Sequence, residues 1–462
     1  MPGSADSLAA MAVPISRWIR TLPERYGRTT LTLLALIVVL GLGLRAYSVV
    51  APVANPADDS HAYYALSKAL YEEGSYGGPT FRDSSDWSPG APLLYAASFY
   101  ATGGAREGTA RIVEALLGVA AIVVVFLLGR RIACRPAGLI AALAVAVYPP
   151  FIHSTGELMS EPPAILTLPA AVLAFLWASE PERRLRAWLL PGFLFGLTAL
   201  IRPEYLVVAG AFAVLAAIRA GRERGWRPGL ARAALLVVAA LVPIVPWTVR
   251  NTVVLHRVVP ISTGGGKALY VGTFLPADGE YQRVKALLLK RYEHRVLPPH
   301  SEALNEVDPR PLFDRVAEDR YPNLPRDSAL GKVGKQNFSH YFGEDPFGYL
   351  EMTARKVGRM WSSGVGEAMS STAGRAVQLL IVALALTGLG VLAWRRWWWE
   401  LTAMATPIVL VTAIGAASLA APRRNEVLMT LVFPLAAAAL SRGVAALLSS
   451  GSWSRRESSP QN

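Results

Sequence analysis

Apolar residues gather in runs long enough to cross a bilayer, divided by short polar stretches. A transmembrane helix needs about 20 apolar residues, and the first such run extends from Thr30 to Val50. Others lie near 109–128, 136–153, 160–178, 187–202, 204–218, 230–247, 376–394, 400–420 and 426–447, which makes about ten spans. The runs that meet at Arg202-Pro203 are short, so one of them could be a broken or re-entrant helix. Arg17, Arg20, Arg25 and Arg28 precede the first run, as in a signal peptide. That run is long for a signal sequence, and no small-residue cleavage site follows it. It reads as a retained span.

Arginine placement sets the expected sidedness. With the N-terminus inside, the short inner loops hold Arg130, Arg131 and Arg135, then Arg183, Arg184 and Arg186. Arg219, Arg222, Arg224 and Arg227 follow, then Arg395 and Arg396, and finally Arg442, Arg455 and Arg456. Every inner segment is basic, as the positive-inside rule asks. Both termini are therefore expected in the cytoplasm, with the chain in the inner (plasma) membrane.

Two long segments stay outside. The second carries 17 basic and 14 acidic residues between Arg250 and Glu367, a near-balance typical of a soluble fold. Over a hundred residues is too long for a structureless loop. The expected fold class is an all-α polytopic membrane protein with a small, mainly helical extracytoplasmic domain. Its expected divisions are a cytoplasmic segment at 1–29, a transmembrane core at 30–249 with a first outer loop at 51–108, and the outer domain at 250–375. C-terminal membrane helices at 376–447 and a disordered cytoplasmic tail at 448–462 complete it.

Composition agrees with the pattern. At 53% hydrophobic and 17% charged residues, the chain is too apolar for a soluble protein or a disordered one. The net charge of +13 follows from basic inner loops and does not require nucleic acid as a partner. A single cysteine, Cys134, leaves no internal disulfide and no cysteine-based metal site.

Candidate chemistry collects on the outer side. In Asn55-Pro-Ala-Asp58-Asp59-Ser60-His61-Ala-Tyr63, Asp58 or Asp59 can cap a helix that runs to about Glu73 and stops at Gly74. A lone aspartate there is most simply a cap; two adjacent carboxylates just past a span exit carry more. The cluster Phe81-Arg82-Asp83-Ser-Ser-Asp86-Trp87 is by itself a loop. After Tyr148-Pro149-Pro150 come His153, Glu157 and Ser160-Glu161-Pro162-Pro163, with Glu157 and Glu161 on one side if helical. Arg202, Arg250, Arg423 and Arg424 lie outside against the charge rule. Snorkelling, or pairing with Glu204 and Glu426, is their plain role. Their sharper one is to bind phosphate, which guanidinium matches well. Asp58, Asp59, His61 and His153 could converge on a divalent metal, but their spacing fits no ligand motif and arginines can supply the charge. Gly264-Gly265-Gly266-Lys267 lacks the phosphate-loop spacing and reads as a flexible or close-packed loop, with a place beside the substrate open to it.

Four passages resemble the GT-C fold glycosyltransferases, in particular glycosyltransferase family 39 and the dolichyl-phosphate-mannose–protein mannosyltransferases, with kinship to the lipid A aminoarabinose transferases. They are Asp59-Ser-His-Ala-Tyr63, Ser160-Glu161, Gly196-Leu-Thr-Ala-Leu-Ile-Arg202-Pro203, and Pro246-Trp247-Thr-Val-Arg250-Asn251 continuing to Gly272. The resemblance implies transfer of a sugar from a polyprenyl-phosphate donor to an acceptor hydroxyl on a protein, glycan or lipid of the envelope. It makes the acidic residue of the first outer loop the catalytic base: Asp59 by its spacing to Tyr63, with Asp58 the close alternative. Glu161 would then orient acceptor or sugar, and Arg202, Arg423 and Arg424 would hold the phosphate. Arg250, Tyr63, His61 and Glu157 are expected to line the substrate site. The rival reading is a transporter or flippase, against which the sequence sets the absence of any charge deep in a span.

Overall fold

The computed structural model describes residues 27–53, 58–77 and 85–456; the side chains of Asp58, Arg224 and 444–456 fall outside that description. The expected cytoplasmic segment before residue 27, the Phe81-Arg82-Asp83 stretch and the last six residues of the expected tail also lie outside the described residues. What is described is helical, with no strand among it.

The chain opens with α1 (Arg28–Val50) and two short helices of the first loop, α2 (Asp58–Glu73) and α3 (Gly90–Thr102). Next come α4 (Glu107–Ile132), α5 (Arg135–Val147), the five-residue α6 (Pro149–His153), α7 (Glu161–Ala178), α8 (Leu189–Ile201), α9 (Tyr205–Arg224) and α10 (Trp226–Leu255). The later region holds α11 (Gly265–Thr273), α12 (Tyr281–Glu293), α13 (Glu302–Asn305), α14 (Arg310–Arg320), α15 (Arg326–Glu344) and α16 (Pro346–Ser362). A short α17 (Glu367–Ser370) leads to α18 (Thr372–Trp394), α19 (Trp398–Ala417) and α20 (Pro422–Arg456).

Among the described residues, eight helices are single, apolar and long enough to span a membrane: α1, α4, α7, α9, α10, α18, α19 and α20. The two remaining expected runs take other forms. One is the α5–α6 pair, bent by 52° where Pro149 and Pro150 remove backbone donors and their rings clash with the preceding turn. The other is α8, a shorter apolar helix. Gly192 and Gly196 let α8 lie directly on the α10 backbone at Leu236 and Ala240, where a Cβ would overlap.

A second core, separate from that of the bundle, forms in α11–α15 around Tyr270, Val284, Leu289, Phe313 and Leu330. This is the small helical domain expected between the two sets of spans. Gly266 packs against the Asp327 carbonyl and Gly334 against Tyr270, with no room for a side chain at either. Within the glycine triplet, Gly266 is thus close-packed, whereas a Cβ at Gly265 would meet open space.

Two sequence expectations need correcting. The last helix continues to Arg456, into the stretch read as a tail, because no proline interrupts residues 435–459. Charges also lie inside spans: Arg45 of α1 and Glu114 of α4 are fully buried. Arg45 donates to the carbonyls of Val145 (3.0 Å) and Ala146 (3.3 Å) at the broken end of α5, groups that the bend leaves without helix partners. Glu114 accepts from the Met159 N–H at 3.1 Å and from the Tyr95 hydroxyl. Both tie one helix to the backbone of another segment.

Candidate functional site

Three of the four arginines singled out by their position against the charge rule, Arg202, Arg423 and Arg424, meet acidic residues at one end of the bundle. Asp59 sits on the first turn of α2, Glu161 opens α7, Arg202 and Glu204 lie in the α8–α9 link, and Arg423 and Arg424 stand on the first turn of α20. Local sequence fixes each. Pro162 and Pro163 occupy positions at a helix start that need no backbone donor, so α7 begins at Glu161. Pro203 stops α8 at Ile201 and leaves Arg202 extended, with φ −139°. Pro422 starts α20 just before the arginine pair.

Their side chains form one continuous chain of ion pairs. Arg423 forks: its Nη1 donates to Asp59 Oδ2 at 2.7 Å and its Nε to Glu161 Oε1 at 3.0 Å. The same Glu161 oxygen accepts from Arg202 Nη1 at 2.8 Å, and Arg202 Nε donates to Glu204 Oε1 at 3.1 Å. Arg424 adds its charge beside Glu204, and its Nη1 has no hydrogen-bond partner among the described residues. Exposure differs along the chain. The Asp59 side chain is 37% exposed and that of Glu161 1%, so water and ligands reach the fork from the Asp59 side.

Electrostatics keep the chain ionised. Burial pushes the Asp59 carboxyl up, but the Arg423 charge and hydrogen bond, the Trp87 N–H and the Lys267 charge outweigh it and hold Asp59 below the usual range. Burial likewise acts against Glu204, and Arg202 and Arg424 overcome it. Tyr63 goes the other way: burial, with Asp59 and Glu161 nearby, raises its phenol well above the ordinary value. It remains a neutral hydrogen-bonding group, in contact with Ser160.

Two backbone contacts fix the carboxylates relative to each other. Ser60, next to Asp59, accepts from the Leu158 N–H at 3.1 Å, and Glu114 accepts from Met159, two residues before Glu161. Trp87 Nε1 donates to Asp59 Oδ1 at 3.2 Å and holds the carboxylate from further along the same first loop.

Not every expected residue joins this cluster. His61 is exposed. Glu157 is buried but pairs with His153 at 3.7 Å. Arg250 donates to the Tyr76 carbonyl at 2.6 Å and to Asn251 Oδ1 at 3.1 Å, and it lies 5.1 Å from the Trp247 ring. It fastens the first loop to α10. Asp58 belongs to α2, and its side chain is outside the described residues. Sequence reasoning passed over Trp87, which lay in a cluster read as a plain loop, and named Glu426 only as a pairing partner of the arginines; it is buried one turn past Arg423, and its Oε1 has no hydrogen-bond partner among the described residues. Among the described residues, no three His, Cys, Asp or Glu side chains gather as a metal site would require.

Comparison with known proteins bears out the resemblance seen in the motifs. Residues 86–248 match the family model for dolichyl-phosphate-mannose-protein mannosyltransferase. No curated protein matches the sequence. The fold is that of the GT-C glycosyltransferases. It is similar to the archaeal oligosaccharyltransferase AglB from Archaeoglobus fulgidus, solved with an inhibitory peptide and a dolichol-phosphate, at a TM-score of 0.53 and 13% identity over 96% of this chain and 53% of that one. A second Archaeoglobus fulgidus oligosaccharyltransferase structure, with Zn and sulfate, gives a TM-score of 0.50 at 15% identity over 90% of this chain and 49% of that one. The chain thus spans about half the length of these archaeal enzymes. ArnT from Cupriavidus metallidurans bound to undecaprenyl phosphate aligns at a TM-score of 0.41 and 14% identity, over 88% of this chain and 77% of that one.

Proposed function

We propose that this protein is an integral membrane glycosyltransferase. It moves a hexose or pentose from a polyprenyl-phosphate donor to the hydroxyl of an envelope protein, glycan or lipid. The observation that carries the proposal is the Asp59–Arg423–Glu161–Arg202 chain, which places a ligand-accessible carboxylate beside guanidiniums at one end of a GT-C bundle. The basic short loops support an orientation with that end outside the cell and both termini in the cytoplasm.

The chemistry fits the parts. The acceptor oxygen attacks the anomeric carbon, the bond from that carbon to the phosphate oxygen breaks, and polyprenyl phosphate departs. The acceptor proton passes to the Asp59 carboxylate, a general base, and attack opposite the leaving group inverts the anomeric centre. A phosphate needs little proton donation when cations stabilise the charge it gains. Arg423 and Arg424 are placed for that. Glu161, enclosed by two guanidiniums, holds Arg423 and Arg202 in position and does not touch the acceptor.

Arg423 also links donor to base. Its contact with Asp59 is the exposed half of its fork, and an incoming phosphate competes for it. Donor binding then frees Asp59 to accept a proton. The test is transfer of a labelled sugar from a polyprenyl-phosphate donor by purified wild-type, Asp59→Asn and Asp58→Asn proteins. The reading requires that Asp59→Asn fails and wild type succeeds. Wild-type movement of the lipid across vesicles with no bond formed to an acceptor would make the protein a transporter instead.

A further inference from the structure

The charges joined at the site cancel. Asp59, Glu161 and Glu204 set three negative charges against the three positive ones of Arg202, Arg423 and Arg424. A donor phosphodiester brings one negative charge into this neutral set. On leaving as a monoester, it carries close to two near neutral pH, since its second pKa is about 6. Taken together, the set has no net positive charge to meet the first of these.

One further cation stands at the same place. Thr263 donates from its backbone to the Ser85 carbonyl at 2.7 Å and from its hydroxyl to Asp86 Oδ1 at 2.8 Å. The next residue along the first loop is Trp87, which holds Asp59. Arg326 of α15 pairs with Asp86 from the same side. The loop domain is therefore seated against the segment that carries the Asp59 contact, and Lys267 lies on the first turn of α11, four residues on from Thr263. Gly266 and Asp327 lock that turn: the Gly266 N–H donates to Asp327 Oδ1 at 2.7 Å. Lys267 is half-buried, and among the described residues no carboxylate lies within ion-pair distance of its ammonium. Its neighbours are the rings of Tyr281 and Phe313, each 6.0 Å from Nζ, at the limit of a cation–π contact. Its charge reaches Asp59.

We infer that Lys267 is a donor-binding residue, whose ammonium takes up the charge of the lipid-linked phosphate that this neutral set leaves unmet. This rests on the glycosyltransferase reading above. With Lys267 added to these six groups, they and a bound phosphodiester sum to zero. After transfer, Asp59 holds the acceptor's proton and the departing monoester carries about two negative charges, so the sum is again zero. The loop domain is then part of the donor site, and its seating on Ser85 and Asp86 is what delivers the ammonium.

The test is binding of a polyprenyl monophosphate, and of the uncharged polyprenol of equal length, to full-length protein in uncharged detergent. Wild type, Lys267→Gln, Lys267→Arg and Lys267→Glu are compared. Loss of one charge-assisted contact corresponds to roughly tenfold weaker binding. Lys267→Gln should lose that for the phosphate and nothing for the polyprenol, Lys267→Arg should restore it, and Lys267→Glu should bind more weakly than Lys267→Gln. A purely structural role would change both lipids together. Equal phosphate affinity in all four proteins overturns the role of Lys267 and leaves the glycosyltransferase reading standing. A wild type that does not prefer the phosphate over the polyprenol overturns both.

Discussion

Arg423 and Lys356 are both cations removed from most of the water, and they are held in opposite ways. Arg423 forks between two side-chain carboxylates, one buried and one open to ligands. Lys356 of α16 is fully buried and donates to three carbonyls, those of Gly272 (2.6 Å), Ala416 (2.8 Å) and Ser418 (3.0 Å). It joins the loop domain to the end of α19. The carbonyls belong to backbone that does not move apart from its helices, so Lys356 has one arrangement. The carboxylates belong to rotatable side chains, and a phosphate can replace either of them at a guanidinium. A cation on carbonyls is a fastening; a cation between carboxylates can change partners. Arg45, on the last carbonyls of α5, is of the first kind.

The largest test of this contrast is Asp59→Asn. Loss of a general base costs about 10²–10⁴-fold in turnover, and sugar-transfer assays should show a fall of that size. The same change releases Arg423 from half of its fork. Binding of a polyprenyl phosphate should therefore become tighter while turnover collapses, which equilibrium binding on the purified variant would reveal. Tightening would be absent if Arg423 were as fixed as Lys356.

Arg423→Gln comes next. It leaves the buried Glu161 with Arg202 as its remaining guanidinium, and breaking one partner of a buried pair costs about 3–5 kcal/mol when none other compensates. Because Arg202 stays, the expected loss is the lower part of that range, read as a fall in apparent melting temperature in detergent. Donor affinity should fall with it. An Arg423→Gln protein with wild-type melting and wild-type donor affinity would remove Arg423 from the site.

The two kinds of cation also differ in how legible they were in the sequence. Spans are local, so run length alone located them, and the two that took another form did so at Pro149-Pro150 and at the short run before Arg202. Arg202, Arg423 and Arg424 were conspicuous because arginine outside opposes the charge rule. Their partners were not conspicuous, since the Arg423 fork joins residues 364 and 262 positions apart. Arg250 met the same criterion as Arg423 and proved to be a loop fastening, because position against the charge rule does not say whether a carbonyl or a carboxylate waits nearby. Lys356 gave no signal at all: its acceptors are backbone atoms, which every residue carries. Arg45 and Glu114 were missed for the same reason, as the groups they satisfy arise from the bend after α5 and the turn before α7.

Lys356→Met should show the fastening directly. It keeps the length of the side chain and leaves three buried carbonyls without their donor. An unsatisfied buried polar group costs about 1–3 kcal/mol, and water entering the gap would recover part of that. The expected outcome is a lower melting temperature together with easier proteolysis between the loop domain and α18, while the donor affinity of the protein that remains folded stays near wild type. Donor affinity falling as far as in Arg423→Gln would mean the two cations are not of different kinds.

The smallest effect is the pH dependence of that fastening. Burial of Lys356, with Arg359 nearby, lowers its pKa to about 8 from an ordinary 10.5. Below about pH 8 the ammonium is charged in both folded and unfolded chains, and the folded state bears the full cost of burying it. Between about 8 and 10.5 the unfolded chain binds more protons at this position than the folded one, so this residue's contribution makes stability rise with pH, at no more than about 1.4 kcal/mol per pH unit. Above 10.5 the contribution is level again. Other lysines and tyrosines titrate in the same range, so the quantity to measure is the difference in melting temperature between wild type and Lys356→Met at pH 7.5, 9 and 10.5. Wild type should gain on the variant across that window. A constant difference would mean that the three carbonyls compensate the ammonium fully, and that a cation held by backbone loses nothing by its burial.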